Sequence, residues 1–294
     1  NEQGTMRKKP AFALIYDFDG TIAPGNMQER DFIPAIRMNT KKFWNEVSET
    51  SKAHQADNIL VYMKLMLDKA AAAEVQVREE NFRTYGRNLN YFEGILPYKA
   101  GNEEMVQGWF DRISEYGKQS GIQVEHYIVS SGIKEMIDGT TIAKKFKKVY
   151  ASSFFYDHHE IAVWPSLAIN YTTKTQYIFR INKGCLDVSE NKKINEYTPE
   201  EERSIPFKHM VYIGDGDTDI PCFRLVRDRG GHSIAVYKPN TKGAKSKSEH
   251  LIKNGRVDFV LPADYRVNMG LDRTIKAIID KVAHDEYLNS LKQI

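Results

Sequence analysis

Two aspartates close a short apolar run near the start of the chain. Residues 11 to 16 read Ala-Phe-Ala-Leu-Ile-Tyr, and Asp17-Phe18-Asp19-Gly20-Thr21 follows at once. A run of that length and composition reads as a strand buried on both faces, which fixes whatever side chains sit at its end. Side chains alternate along extended backbone, so Asp17 and Asp19 point to the same side. Two carboxylates held that close repel unless a cation or a shared proton lies between them. The pair therefore marks a metal site, an acid–base pair or both.

A second cluster has the same form. The apolar run Met210 to Ile213 ends in Gly214-Asp215-Gly216-Asp217-Thr218-Asp219. Helix caps account for one or two of these aspartates, but three beside two glycines fit better with a hard cation shared with Asp17 and Asp19. Mg²⁺ takes oxygen ligands and usually keeps waters alongside one or two carboxylates and a phosphate. Between the clusters, Val124 to Val129 ends in Ser130-Ser131-Gly132. A hydroxyl and free N–H groups at a strand-to-helix turn suit an anion, although Ser-Ser-Gly is also an ordinary turn. Further on, Asn170-Tyr171-Thr172-Thr173-Lys174 precedes a helical pattern. Thr172 or Thr173 is expected to cap that helix, placing Lys174 in the first turn, where the helix dipole disfavours a cation unless an anion lies nearby.

In this order the four segments resemble the haloacid dehalogenase-like hydrolase superfamily. Its pattern is Asp-x-Asp-x-Thr, a Ser or Thr after a strand, a Lys at a helix start, and Gly-Asp-x-x-x-Asp. The resemblance implies a Mg²⁺-dependent phosphatase that hydrolyses a small phosphomonoester through an aspartyl-phosphate. Asp17 would be the nucleophile, and Asp19 would protonate the leaving alcohol and then deprotonate water. Mg²⁺ would be held by Asp17, the carbonyl of Asp19, Asp215 and, directly or through water, Asp219. Ser130, Ser131 and Lys174 would bind the phosphoryl oxygens, with N–H groups near Phe18 and Ser131. Asp at position 19 points to phosphate esters and away from carbon–halogen cleavage or ion pumping. A phosphotransferase or mutase, or a catalytically silent phosphometabolite-binding regulator, is the alternative. Asp217 matches no fixed position and reads as a helix cap or a supporting group.

These residues need a sheet to carry them. Residues 131 to 294 alternate strand and helix signals, which predicts a doubly wound, Rossmann-like α/β core with a parallel sheet and a site at the carboxyl ends of its strands. Between the first two motifs the pattern is helical over 41–53, 57–73 and 79–89, and 102–118 reads as the helix returning to the sheet. The resemblance identifies this insertion as a helical cap, giving a core of 1–23 plus 120–294 and a cap of 24–119. The spacing is most similar to the phosphoserine phosphatase-like branch. Members acting on phosphoserine carry a glutamate nine residues after the nucleophile; here Asn26 stands there, with Glu29 three residues on. Arg30, Arg37, Arg83 and Arg87 are cap cations that could meet an anionic leaving group, and most of them read as plain surface charges.

Composition sets the remaining bounds. The 294 residues, 41% hydrophobic and 28% charged, suffice for one large core and a smaller one. A net charge of +3 gives no argument for nucleic acid. The five lysines between Lys238 and Lys253 lack interleaved aromatics and read as a solvated loop and helix. Cys185 and Cys222 have no metal-type spacing and are expected as reduced, buried thiols. His158 and His159 lack a third ligand. Residues 189 to 203 read as an exposed loop insertion. No apolar run is long enough to span a membrane, so we expect no membrane partner and a cytoplasmic location. The opening Asn-Glu-Gln-Gly-Thr before Met6 is equally compatible with natural sequence, a tag remnant or cleavage of a leader.

Overall fold

A computed structural model describes residues 9–101 and 104–292. In chain order its elements are β1 (Ala11–Tyr16), α1 (Phe32–Ala35), α2 (Thr40–His54), α3 (Asn58–Ala72), α4 (Glu79–Arg87), β2 (Tyr98–Ala100), β3 (Glu104–Val106), α5 (Trp109–Gln119), β4 (Gln123–Ile133) and α6 (Lys134–Gly139). They continue with β5 (Lys148–Tyr156), β6 (Ala162–Leu167), α7 (Lys174–Lys183), α8 (Asn191–Asn195), β7 (Met210–Gly214), α9 (Ile220–Asp228), β8 (His232–Tyr237), α10 (Ala244–Lys253), β9 (Phe259–Pro262) and α11 (Gly270–Leu291). The main sheet runs β6-β5-β4-β1-β7-β8-β9. All its pairs are parallel except β5 with β6.

Strand β1 lies at the centre and pairs with β4 on one side and β7 on the other, with Tyr16 opposite both Ile128 and Ile213. The connections leave β1 in opposite directions, so the carboxyl ends of these three strands meet at the switch point where open α/β sheets bind ligands. Alternation along β1 splits the interior in two. Phe12, Leu14 and Tyr16 join a cluster with Trp109, Ile275 and the inserted helices, while Ala13 and Ile15 join one with Ile178, Phe223 and Leu251. The smaller core that composition allows is thus the second face of the sheet. The inserted segment shares the first, through Phe43, Met63, Met66 and Phe82. Reciprocal glycines make that union possible: a Cβ on Gly86 of α4 would sit 1.7 Å from the Met136 carbonyl oxygen, and one on Gly139 of α6 would sit 2.1 Å from the Arg83 carbonyl oxygen.

Two expectations are corrected. Residues 102–118 do not form one helix: Asn102 and Glu103 lie outside the described residues, 104–106 pairs antiparallel with 98–100, and α5 starts only at Trp109. Gly108 precedes it because the chain presses on the Ile95 carbonyl, 2.6 Å from where a Cβ would stand. The sheet is also not wholly parallel, since β6 adds an antiparallel edge. Its sequence, Ala-Val-Trp-Pro-Ser-Leu, leaves Val163 and Trp164 exposed and carries Pro165, a residue confined to sheet edges.

The stretch from 189 to 203 is largely exposed, with α8 and one 3₁₀ turn in it. The buried Arg180 holds its start through the carbonyls of Asp187 (2.6 Å) and Glu190 (3.0 Å). Both cysteines are free and buried. Among the described residues, no helix is long and apolar enough to cross a membrane.

Candidate active site

The parallel ladder places Asp17 one residue beyond β1, its N–H still donating to the Ile213 carbonyl at 2.9 Å. Phe18 is fully buried, and its carbonyl accepts from the N–H groups of Thr21, Ile22 and Ala23. The chain thereby curls into a tight loop that leaves Asp19 beside Asp17. The Tyr265 hydroxyl pins this loop by donating to the Thr21 carbonyl at 2.7 Å. Gly20 has φ +73°, and a Cβ there would stand 2.0 Å from an Asp215 carboxylate oxygen. Only glycine fits, because the second acidic cluster packs against its Cα. Gly20→Ala should therefore cost about 1–3 kcal/mol in backbone strain and push Asp215 away. The expected result is a lower melting temperature together with loss of any Mg²⁺-induced stabilisation; a retained Mg²⁺ response would contradict the packing.

Asp219 lies beneath the cleft, fully buried, and every contact it makes is that of an anchored anion. One oxygen accepts from the Tyr212 hydroxyl (2.6 Å) and the Lys174 ammonium (2.8 Å). The other accepts from the N–H groups of Asp215 (3.2 Å) and Gly216 (3.4 Å). Lys174, 1% exposed, also reaches Asp17 at 3.0 Å. The anion expected to offset the lysine's place in a first turn is therefore built into the protein. Ser130, Ser131 and Gly132 do not form the expected turn but lie within β4, where its register with β5 shifts between Val129 and Ile133; Ser130 is buried and accepts from the Gly132 N–H at 3.1 Å. The Phe18 N–H donates to Asp17 itself at 2.7 Å.

Asp17, Asp19, Ser130, Ser131, Lys174 and Asp215 all line one cleft of about 830 Å³. Ligand oxygens of Asp17, Asp215 and Asp219 lie within 4.8 Å of one another. Burial pushes the Asp17 carboxyl up to about 6, with Lys174 opposing the rise and Asp219 adding to it. Asp19 is raised well above the carboxylate range by burial and then by the charge of Asp17, its Met27 N–H bond (3.0 Å) pulling the other way. Asp215, open to solvent along one edge yet walled in by its neighbours, is pushed up to about 8 by burial and then by Asp219 and Asp17. Burial lowers Lys174, but Asp17 and Asp219 outweigh that and raise it. One lysine facing so many carboxylates leaves excess negative charge, which all-oxygen coordination of a small dication would neutralise.

These shifts have a signed consequence. Carboxyls raised in the folded state stabilise the protein below their ordinary range, and that contribution is lost as pH climbs through about 6 and then about 8. A dication held by these carboxylates would bind the ionised forms. Its effect on the melting temperature should be larger near pH 8 than near about pH 5.5; an equal or larger effect at the lower pH would contradict the assignment.

Other expected placements change. Thr173 stands at the N-cap position of α7, but its side chain makes no cap bond; the side-chain oxygen of Asn170 holds the turn leading into the helix, accepting from the Thr172 N–H (3.1 Å) and the Thr173 N–H (2.9 Å). Asp217 is exposed, 3.4 Å from His250, and caps nothing. Arg30, Arg37, Arg83 and Arg87 do not line the cleft, in line with the surface-charge reading; Arg83 and Arg87 pair with Glu79 and Glu80. Asn26 does line it, donating to Glu29 at 2.8 Å, and Glu29 also accepts from the Trp44 indole at 2.8 Å. Lys238 and Lys247, read as solvated, are exposed but reach the mouth of the cleft. Sequence reasoning missed Gln28, Asp57 and Tyr62, which close the cleft from the inserted segment. Of these only Asp57 carried a signal, as an N-cap type just before a helical run.

Residues 14–224 match the family described as haloacid dehalogenase-like hydrolase. An uncharacterized protein of Borreliella burgdorferi is 32% identical over 287 residues, covering 86% of this chain and 91% of the relative. Among solved structures, a HAD-family hydrolase from Salmonella enterica serovar Typhi has a TM-score of 0.55 at 13% identity, over 92% of this chain and 72% of the other. A phosphoserine phosphatase, solved as an analogue of its phospho-aspartyl intermediate, gives 0.51 at 15% identity, over 92% and 99%. A probable phosphoserine phosphatase from Vibrio cholerae gives 0.51 at 13%, over 95% and 67%. At these identities the likeness is one of fold.

Proposed function

Because the chain belongs to the haloacid dehalogenase-like hydrolase family, we propose that it is a phosphatase that cleaves small phosphomonoesters by covalent catalysis on Asp17. The observation that carries this reading is the division of labour between two adjacent carboxyls. Burial raises both carboxyls, Asp17 only to about 6 because Lys174 lies 3.0 Å away, and Asp19 well above its ordinary value, the charge of Asp17 adding to the rise. Environments that push two neighbouring carboxyls apart separate a nucleophile from an acid.

An Asp17 carboxylate oxygen attacks phosphorus, forming the Asp17–phosphoryl bond as the bond to the ester oxygen breaks. Asp19 gives its proton to that leaving oxygen, so the alcohol departs neutral. The Asp19 carboxylate then takes a proton from water, whose oxygen attacks phosphorus and releases phosphate and free Asp17. Lys174 and the Ser130 hydroxyl hold the phosphoryl oxygens, and fixed donors around transferring oxygens are the main device of this chemistry. The oxygen donors of Asp17, Asp215 and Asp219, with the Asp19 carbonyl, fit Mg²⁺. When bound it offsets the repulsion between Asp17 and an anionic substrate and neutralises charge on the phosphoryl group.

For the substrate, a cleft of this volume suits a small metabolite. Asn26 is neutral and already donates to Glu29, so it offers no charged partner to an ammonium group, which disfavours phosphoserine. The test is phosphate release from a panel of phosphorylated metabolites and an aryl phosphate, with and without Mg²⁺. Turnover that requires Mg²⁺ is expected. No turnover of any ester, or transfer to an added alcohol in place of release, would overturn the reading.

A further inference from the structure

Two helix caps meet across the mouth of the cleft. Asp57 caps α3, one oxygen accepting from the Ile59 N–H (2.9 Å) and the Leu60 N–H (3.0 Å). Asn170 caps the turn that leads into α7 with its side-chain oxygen, and its main-chain carbonyl accepts the N–H of Lys174 at 3.0 Å. The remaining arms of the two caps bond each other: the Asn170 amide donates to the second Asp57 oxygen at 2.9 Å, across 113 residues of sequence. One turn into α3, the Tyr62 hydroxyl donates to the Ser131 carbonyl at 2.6 Å. Helix α3 is thus fastened to the irregular end of β4 that carries Ser130 and to the turn that presents Lys174.

We propose that Asn170 is a positioning residue that locks α3 over the cleft and at the same time fixes the start of the Lys174 helix. The inference rests on the phosphatase reading only for the role of Lys174. The chemistry favours a deliberate pair. Aspartate and asparagine are equally good N-caps, so either helix would be capped with either residue. Only the arrangement of one carboxylate facing one amide also gives a donor–acceptor bond between them. Among the described residues, Asp57 pairs with no lysine or arginine, which leaves the amide as its partner across the cleft.

The equivalence of the two residues as caps supplies the test. Asn170→Asp keeps the α7 cap but sets two carboxylates against each other. Adding Asp57→Asn restores the bond with donor and acceptor exchanged, and both caps survive. Hydrogen exchange over residues 58–62 should rise about tenfold in the single variant and return to the parental rate in the double. With an aryl phosphate and Mg²⁺, kcat/KM should fall about tenfold and recover in parallel, because α3 closes the cleft and α7 presents Lys174. Unchanged exchange in Asn170→Asp, or a double variant as impaired as the single, would overturn the proposal. If exchange behaves as expected while no variant, nor the parent protein, turns over any phosphate ester, the lock stands and the phosphatase reading falls.

Discussion

Asp17→Asn should abolish catalysis while leaving the protein at least as stable as before. Loss of a covalent nucleophile typically lowers turnover by about 10⁴-fold or more. Asparagine keeps the shape of aspartate, and its one side-chain oxygen can still accept from either the Phe18 N–H or Lys174, which reach different oxygens of Asp17. What it removes is charge. Burial and Asp219 raise Asp17, so its ionised form is held against an opposing field. Deleting that charge relieves Asp215 and Asp19 as well, both of which Asp17 pushes up. The metal-free variant should therefore melt no lower than the parent protein, most visibly near about pH 8, where the carboxyls would otherwise ionise. Phosphate release and thermal melting on one preparation check both halves. Retained turnover would remove Asp17 from the mechanism.

Lys174→Met should have the opposite profile, costing activity and stability together. The ammonium is 1% exposed and lies 3.0 Å from Asp17 and 2.8 Å from Asp219, which is itself fully buried. Methionine fills similar volume without charge, so packing is retained and two buried carboxylates lose their counter-ion. Breaking a buried ion pair from one side typically destabilises by about 3–5 kcal/mol. Part of that loss should be recovered at low pH, where Asp17 takes up a proton. The two variants thus separate a residue kept for chemistry from one needed by both chemistry and fold. A Lys174→Met protein that melts like the parent would show that the carboxylates do not depend on it.

The legibility of the site followed from where its residues sit in the chain. Asp17 and Asp215 stand just beyond the ends of apolar strands and Ser130 lies near the end of another, so local pattern was enough to place them on one sheet edge. Lys174 was legible as a helix start with Thr173 at its N-cap position, but the bonds that hold the entry come from Asn170, which reaches forward over two residues that are themselves good caps. Asp57, Tyr62 and Gln28 could not be read as site residues, since what makes them so is tertiary contact. Tyr62 meets Ser131 across 69 positions, and no local pattern encodes that.

The fold was read on the same terms. The alternation after Ser131 and the helices of the insertion come from local periodicity, and α2, α3 and α4 fall within two residues of their expected ends. Edge strand β6 was missed because an edge needs no apolar alternation and tolerates Pro165. The merging of the inserted helices with the sheet's own core depends on Gly86 and Gly139 lying against backbone of the opposite helix, a close approach visible only in three dimensions.

The central claim is that the phosphoryl group passes through Asp17. Rapid acid quench of the protein during turnover of a labelled phosphate ester, followed by peptide mapping, tests it directly. The account predicts a hydroxylamine-labile phosphoryl group on the peptide containing Asp17, absent from Asp17→Asn. A label on Ser130, or steady turnover with no covalent label at all, would contradict it.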